Sequence, residues 1–138
     1  MIDETDLKII DMLKINSKIS LKKIGEHVHL TPQGVSNRIL RLEDSGVITQ
    51  YTIYTNNNLL GKNITGFITV FMKTPNHDKI VKFIKTSSSV TEAHRISGDG
   101  CYLLKIMCSD MDEINSLLDN IVEYGTYRLS LSTSSIKD

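Results

Sequence analysis

Between residues 18 and 41 the chain places five cations, Lys18, Lys22, Lys23, Arg38 and Arg41, against one carboxylate, Glu26, a local balance of +4. Such a patch neutralises phosphates and releases their counterions, so it holds a polyanion without reading its sequence. Interleaved with the cations are Gln33, Ser36 and Asn37, whose short amides and hydroxyl can meet base edges in a groove. A side-chain amide offers an acceptor beside a donor, which is the pattern adenine complements. The candidate DNA-contacting set is therefore Lys22, Lys23, Thr31, Gln33, Ser36, Asn37, Arg38 and Arg41. The lysines would sit on phosphate, the amides and Ser36 on bases, and the two arginines on backbone or guanine. The plain alternative is a solvated basic face on an ordinary three-helix module.

Other reactive groups are sparse. His27 and His29 lie two apart at a helix end and do not share a face, and His77 and His94 stand alone, so no metal site is expected. Cys101 and Cys108 form neither a CxxC pair nor a disulfide framework and read as reduced thiols. No third group accompanies Cys101 and His94 to make a catalytic set, so neither an enzyme nor a cofactor is expected. Gly98-Asp99-Gly100 reads first as a tight hairpin turn, because Asp-Gly supplies the positive φ angles such a turn demands.

The elements that must position these residues follow from capping and periodicity. Asp3 and Asp6 open a first helix running to Ile15, with Leu7, Ile10, Met12 and Leu13 at three-to-four spacing. Ser20 caps a short second helix carrying Leu21, Ile24 and Val28 on one face. Thr31-Pro32 starts a third, with a capping hydroxyl followed by a proline where its missing N–H is harmless. That helix runs to about Asp44, with Val35, Ile39 and Leu42 inward and Gln33, Asn37, Leu40 and Asp44 outward, and Ser45-Gly46 closes it. A tight connection between the second and third of three short helices fits a helix-turn-helix.

After Gly46 the β-branched and aromatic run Val47 to Tyr54 reads as an extended strand, ended by Asn56-Asn57-Asn58. The remainder alternates strand Gly66–Lys73, helix His77–Thr86, strands Val90–Ser97 and Tyr102–Cys108, helix Met111–Val122 and strand Tyr127–Thr133. That order, βαββαβ, is the ferredoxin-like motif. Its helices can cover one face of a four-stranded antiparallel sheet, and the other face then needs a partner subunit. The expected architecture is α+β: a three-helix, winged-type helix-turn-helix over residues 1–49, a strand linker over 50–62 and a ferredoxin-like domain over 63–138.

Bulk properties are permissive. The 138 residues carry 16 basic and 16 acidic side chains, so any charge for a polyanion must be local. No signal-like or membrane-length apolar run interrupts the chain, which reads as a soluble cytoplasmic protein.

The blocks Asp3-x-x-Asp6-x-x-Ile9-Ile10-x-x-Leu13, Ile19-Ser20-Leu21, Leu30-Thr31-Pro32, Arg38-Ile39, Arg41-Leu42-Glu43, Gly46-Val47-Ile48 and Gly98-Asp99 resemble the Lrp/AsnC family of regulators along essentially the whole chain. The resemblance implies a transcription regulator that pairs as a homodimer through its ferredoxin-like halves, in some members building tetramers or octamers. It further implies binding to pseudo-palindromic double-stranded DNA and a small effector, commonly an amino acid. The implied effector loop is Gly98, Asp99, Gly100, Cys101 and Tyr102, in which Cys101 replaces an acidic residue expected to meet an amino group, with Asp99 as its substitute. Asn37 and Leu40 stand where the family often has basic or polar residues, and Leu129 and Leu131, or after a one-residue slip Ser130 and Ser132, fall where it has threonines. The competing reading is a ligand-sensing or oligomerisation module whose helix-turn-helix no longer binds specific DNA.

Overall fold

A computed structural model describes all 138 residues. They divide into two compact units, residues 1–54 and 55–138, each with its own apolar core. The first contains three helices, α1 (Glu4–Ile15), α2 (Leu21–Val28) and α3 (Pro32–Asp44). Each begins where a side-chain oxygen takes a backbone N–H that the first helical turn leaves unpaired. Asp3 and Asp6 form a reciprocal capping box, Ser20 Oγ accepts from the Lys23 amide at 3.1 Å, and Thr31 Oγ1 accepts from the Gly34 amide at 3.1 Å.

Ile9, Ile24 and Val35 are sealed from solvent at the centre, ringed by Met12, Leu13, Ile19, Val28, Leu30 and Ile39. The expected stripes shift in two places. Leu7 and Leu21 are exposed, and the inward line of α1 runs through Asp6, Ile9 and Leu13, because Asp6 must face α3. The connection from α2 to α3 turns on His29, in the left-handed region at φ 57, after which the Leu30 amide donates to the Gly25 carbonyl at 3.0 Å. A Cβ on Gly25 would stand 2.4 Å from the Leu30 carbonyl oxygen, so only glycine lets the turn cross α2 this closely.

α3 ends at Gly46, φ 74, where the Val47 amide bonds the Leu42 carbonyl and the Gly46 amide bonds the Glu43 carbonyl, both at 2.9 Å. These two bonds make a Schellman stop. The strand expected over 47–54 does not form: the segment joins no ladder and is irregular. β-branched residues favour a pleated surface, but a strand needs a neighbour for its amides and carbonyls, and this unit supplies none. What fastens the segment instead is the Tyr51 hydroxyl, which donates to Glu43 Oε1 at 2.6 Å. That bond to a carboxylate pushes the phenol pKa up to about 12.

The second unit follows the expected βαββαβ order: β1 (Ile64–Met72), α4 (His77–Thr86), β2 (Val90–Arg95), β3 (Tyr102–Cys108), α5 (Met111–Val122) and β4 (Gly125–Leu131). The four strands are antiparallel in the order β2-β3-β1-β4. Alternation puts Ile68, Val70, Tyr102, Leu104 and Ile106 under the helices, against Ile80, Ile84, Ile114, Leu117, Leu118 and Ile121. The opposite face, with Phe67, Thr69, Phe71, Leu103, Lys105 and Met107, has no covering layer within this unit. In β4 the register pairs Leu129 with Ile68 and Ser130 with Phe67, so Leu129 lies on the helix side and Ser130 on the open face.

Candidate DNA interface and effector loop

Lys22 and Lys23 sit in the first turn of α2, directly after the Ser20 cap, and both are exposed. Thr31, Gln33 and Asn37 are exposed at the start of α3, and Ser36 is half-buried on its flank. Gln33 and Asn37, one turn apart, are joined by a hydrogen bond from Gln33 Nε2 to Asn37 Oδ1 at 2.9 Å. Leu40 continues their stripe and is 55% exposed, a large apolar side chain on an otherwise polar face.

Arg38 and Arg41 are placed differently from the sequence expectation. Arg38 donates from one terminal nitrogen to both oxygens of Asp3, at 2.8 and 2.7 Å, and to Asp6 Oδ1 at 2.9 Å. Arg41 donates to Asp6 Oδ2 at 2.6 Å. Asp6 has no solvent exposure. Burial pushes its carboxyl up, but the Asp3 amide, Arg38 and Arg41 outweigh that and hold it below the ordinary aspartate value. The Arg38 guanidinium likewise holds Asp3 low, and the two aspartates hold Arg38 high. The four residues form a neutral cluster that clamps α1 to α3. The positive charge left uncompensated around α2 and α3 is therefore that of Lys18, Lys22 and Lys23 against Glu26. A buried acid on an apolar stripe was the sequence signal for this clamp, because an ionised carboxylate is sealed in only with a partner.

The loop joining β2 to β3 turns through Gly98, φ 90, and Gly100, φ 97, with Asp99 exposed between them and Cys101 half-buried after them. The Cys101 amide donates to the Val70 carbonyl at 2.7 Å, seating the loop on β1, and a Cβ on Gly100 would come within 2.5 Å of the Thr69 methyl. Tyr102 does not line this loop. It turns under the helices, 4% exposed, and its hydroxyl shares a 2.7 Å hydrogen bond with His77 Nδ1 at the start of α4. The strand's period of two dictates that placement, since Leu104 and Ile106 on the same side are core.

Sequence reasoning missed one polar centre in this unit. Glu113, in the first turn of α5, accepts from Lys62 Nζ at 2.8 Å, Ser89 Oγ at 2.7 Å, and the Ser109 amide and hydroxyl at 2.7 and 2.8 Å. Lys62 leads this set of donors in drawing its pKa down to about 2. The motif Asp110-x-x-Glu113 ahead of an apolar run was the available signal, with Asp110 Oδ1 capping the Glu113 amide at 2.8 Å. The neighbouring Cys108 thiol is pushed up by burial, which keeps it protonated.

A helix-turn-helix with an exposed, lysine-flanked third helix, followed by a ferredoxin-like unit, defines a DNA-binding regulator class. Comparison with known proteins gives the same result. Residues 2–49 match the winged helix-turn-helix DNA-binding family, and residues 65–138 match the Lrp/AsnC ligand binding domain. The chain is 42% identical over 136 residues to the HTH-type transcriptional regulator LrpB of Bacillus subtilis, covering 99% of this chain and 91% of that one. The structure of B. subtilis LrpC superposes with a TM-score of 0.94 at 27% identity, covering 99% of this chain and 98% of that one. A Neisseria meningitidis transcriptional regulator solved as a complex with L-Met gives the same fold, with a TM-score of 0.94 at 23% identity over 100% of this chain and 94% of that one. The chain belongs to the Lrp/AsnC family and is an HTH-type transcriptional regulator. No helix in it is long and apolar enough to cross a membrane.

Proposed function

We propose that this regulator works in the cytoplasm as a homodimer on pseudo-palindromic double-stranded DNA, each α3 entering the major groove of one half-site. The observation that carries this is the exposed face of α3, with Gln33, Ser36 and Asn37 beside the lysines of α2. Lys18, Lys22, Lys23 and Thr31 position the unit on phosphate, while Gln33 and Ser36 meet bases, with Asn37 bonded to Gln33 beside them. Arg38 and Arg41 serve first as the clamp on Asp3 and Asp6 and reach backbone or guanine only with their remaining N–H groups. Support for pairing comes from the open sheet face, where Phe67 and Leu103 are 39% and 36% exposed. Two copies meeting there would cover both.

The same reading assigns a small effector, an amino acid, to the loop Gly98 to Cys101. Asp99 would take the amino group, and Tyr102 would support the loop from the core. The L-Met found in the Neisseria relative supports that chemistry. An effector acts here by favouring one arrangement of dimers, so its leverage is its affinity difference between them. The protein works by binding and carries out no reaction of its own. Fluorescence anisotropy of the purified protein on its own upstream promoter and on scrambled DNA tests the reading. Tight, promoter-selective binding supports it, and weak, equal binding to both would favour an interaction module instead.

A further inference from the structure

One hydrogen bond on the outward face of α3 has little structural work to do. Gln33 Nε2 donates to Asn37 Oδ1 at 2.9 Å, and both residues are exposed. A neutral pair one turn apart on a wet surface exchanges protein bonds for water bonds and adds little to the helix. What it does is fix a direction. Glutamine has several rotatable bonds, and a free side chain must be immobilised when it binds, whereas one already held loses less on binding.

The bond also settles which groups remain free. One Nε2 hydrogen of Gln33 goes to Asn37, leaving the amide a second Nε2 hydrogen to donate and Oε1 to accept. That donor and acceptor match adenine in the major groove, with N7 accepting and the N6 amino group donating. Gln33 lies in the first turn of α3, and the N-terminal residues of a recognition helix are those that reach base edges. The side chains best suited to guanine, Arg38 and Arg41, are bonded to Asp3 and Asp6 instead.

We propose that Gln33 is a specificity-determining residue that reads one adenine in each half-site through both its amide atoms, and that Asn37 is the positioning residue that holds the amide for it. This rests on α3 being the DNA-contacting helix.

The test begins by selecting sites for the full-length protein from a randomised duplex pool. The preferred adenine is then replaced by 7-deazaadenine, which lacks the N7 acceptor, or by unsubstituted purine, which lacks the N6 amino group. Wild type should bind each analogue about ten-fold more weakly. Gln33→Ala, which removes the contact in both half-sites, should bind the selected site about a hundred-fold more weakly and be indifferent to both analogues. Asn37→Ala should blunt the preference at that same base pair, and Asn37→Asp, which keeps an acceptor, should restore the ratio between bases while weakening binding overall. Both side chains are exposed, so these variants keep the core. If Gln33→Ala still discriminates against the analogues, or Asn37→Ala changes the preference at a different base pair, the proposal is overturned while DNA binding stands. If wild type selects no sequence, the DNA reading fails and the proposal with it.

Discussion

Replacing Asp6 by asparagine should unfasten the DNA-binding unit while leaving the other unit intact. The buried carboxylate accepts from Arg38 at 2.9 Å, Arg41 at 2.6 Å and the Asp3 amide at 3.1 Å. Asparagine keeps one acceptor oxygen and sets an N–H group against partners that can only donate, so at least one charge-assisted bond is lost and a donor–donor contact takes its place. Removing one partner of a buried ion pair costs about 3–5 kcal/mol. Arg38 retains Asp3, which is half exposed, and Arg41 can turn to water, so the lower end, about 3 kcal/mol, is expected. Domains hold roughly 0.05–0.15 kcal/mol per residue, which for the first unit is about 3–8 kcal/mol in all. The substitution therefore removes a large share of that stability. The assay is urea unfolding of the full chain, followed by the amide NMR resonances of Val35 for the first unit and Ile106 for the second. With a urea slope near 1 kcal/mol/M, the Val35 midpoint should fall by about 3 M. The Ile106 midpoint should stay where it was. A Val35 midpoint within about 0.5 M of wild type would show that the cluster does not hold α1 to α3.

Gly25→Ala gains helix propensity of about 1 kcal/mol but places a methyl against the Leu30 carbonyl, an overpacking cost of about 1–3 kcal/mol or more, so calorimetry should show a net loss. Glu113 has its pKa drawn down from 4.5 to about 2, so its stabilisation is complete above pH 4.5 and lost as pH falls through that window. Thermal unfolding of wild type and Glu113→Gln should differ most at neutral pH, and the gap should close toward pH 2. A gap that is constant with pH would refute the role of its charge. Phe67→Lys and Leu103→Asp should each shift sedimentation from dimer toward monomer with the secondary structure unchanged, because charge would then be buried in the covered face; unchanged sedimentation would place the contact elsewhere.

Much of the fold was legible because its signals are local. Ser20, Thr31-Pro32 and Gly46 mark three helix boundaries within a residue or so, and the period-two strands of the second unit mark which residues lie under the helices. The failures arise where distant residues decide. The run Val47 to Tyr54 has strand propensity, yet a ladder is a pairwise property and the run has no partner in the chain. Arg38 and Arg41 look like free cations because Asp3 and Asp6 lie more than thirty residues away in sequence. Tyr102 adjoins the loop in sequence, yet strand alternation assigns it to the core. Glu113 draws donors from Lys62, Ser89 and Ser109, and only the fold brings those together.

The central claim is that α3 and the lysines beside it bind DNA while Arg38 and Arg41 chiefly hold the unit together. The salt dependence of promoter binding tests both halves. Phosphate contacts by Lys18, Lys22 and Lys23 in two subunits would give a slope of log K against log salt near −5, at about −0.9 per contact. Adding both arginines of each subunit would take it to about −9. A slope near −5 that flattens by about 2 on Lys22→Gln, with promoter binding stronger than binding to scrambled DNA, is the expected result. A slope near −9 would contradict the clamp, and a slope near zero with no preference for the promoter would contradict DNA recognition itself.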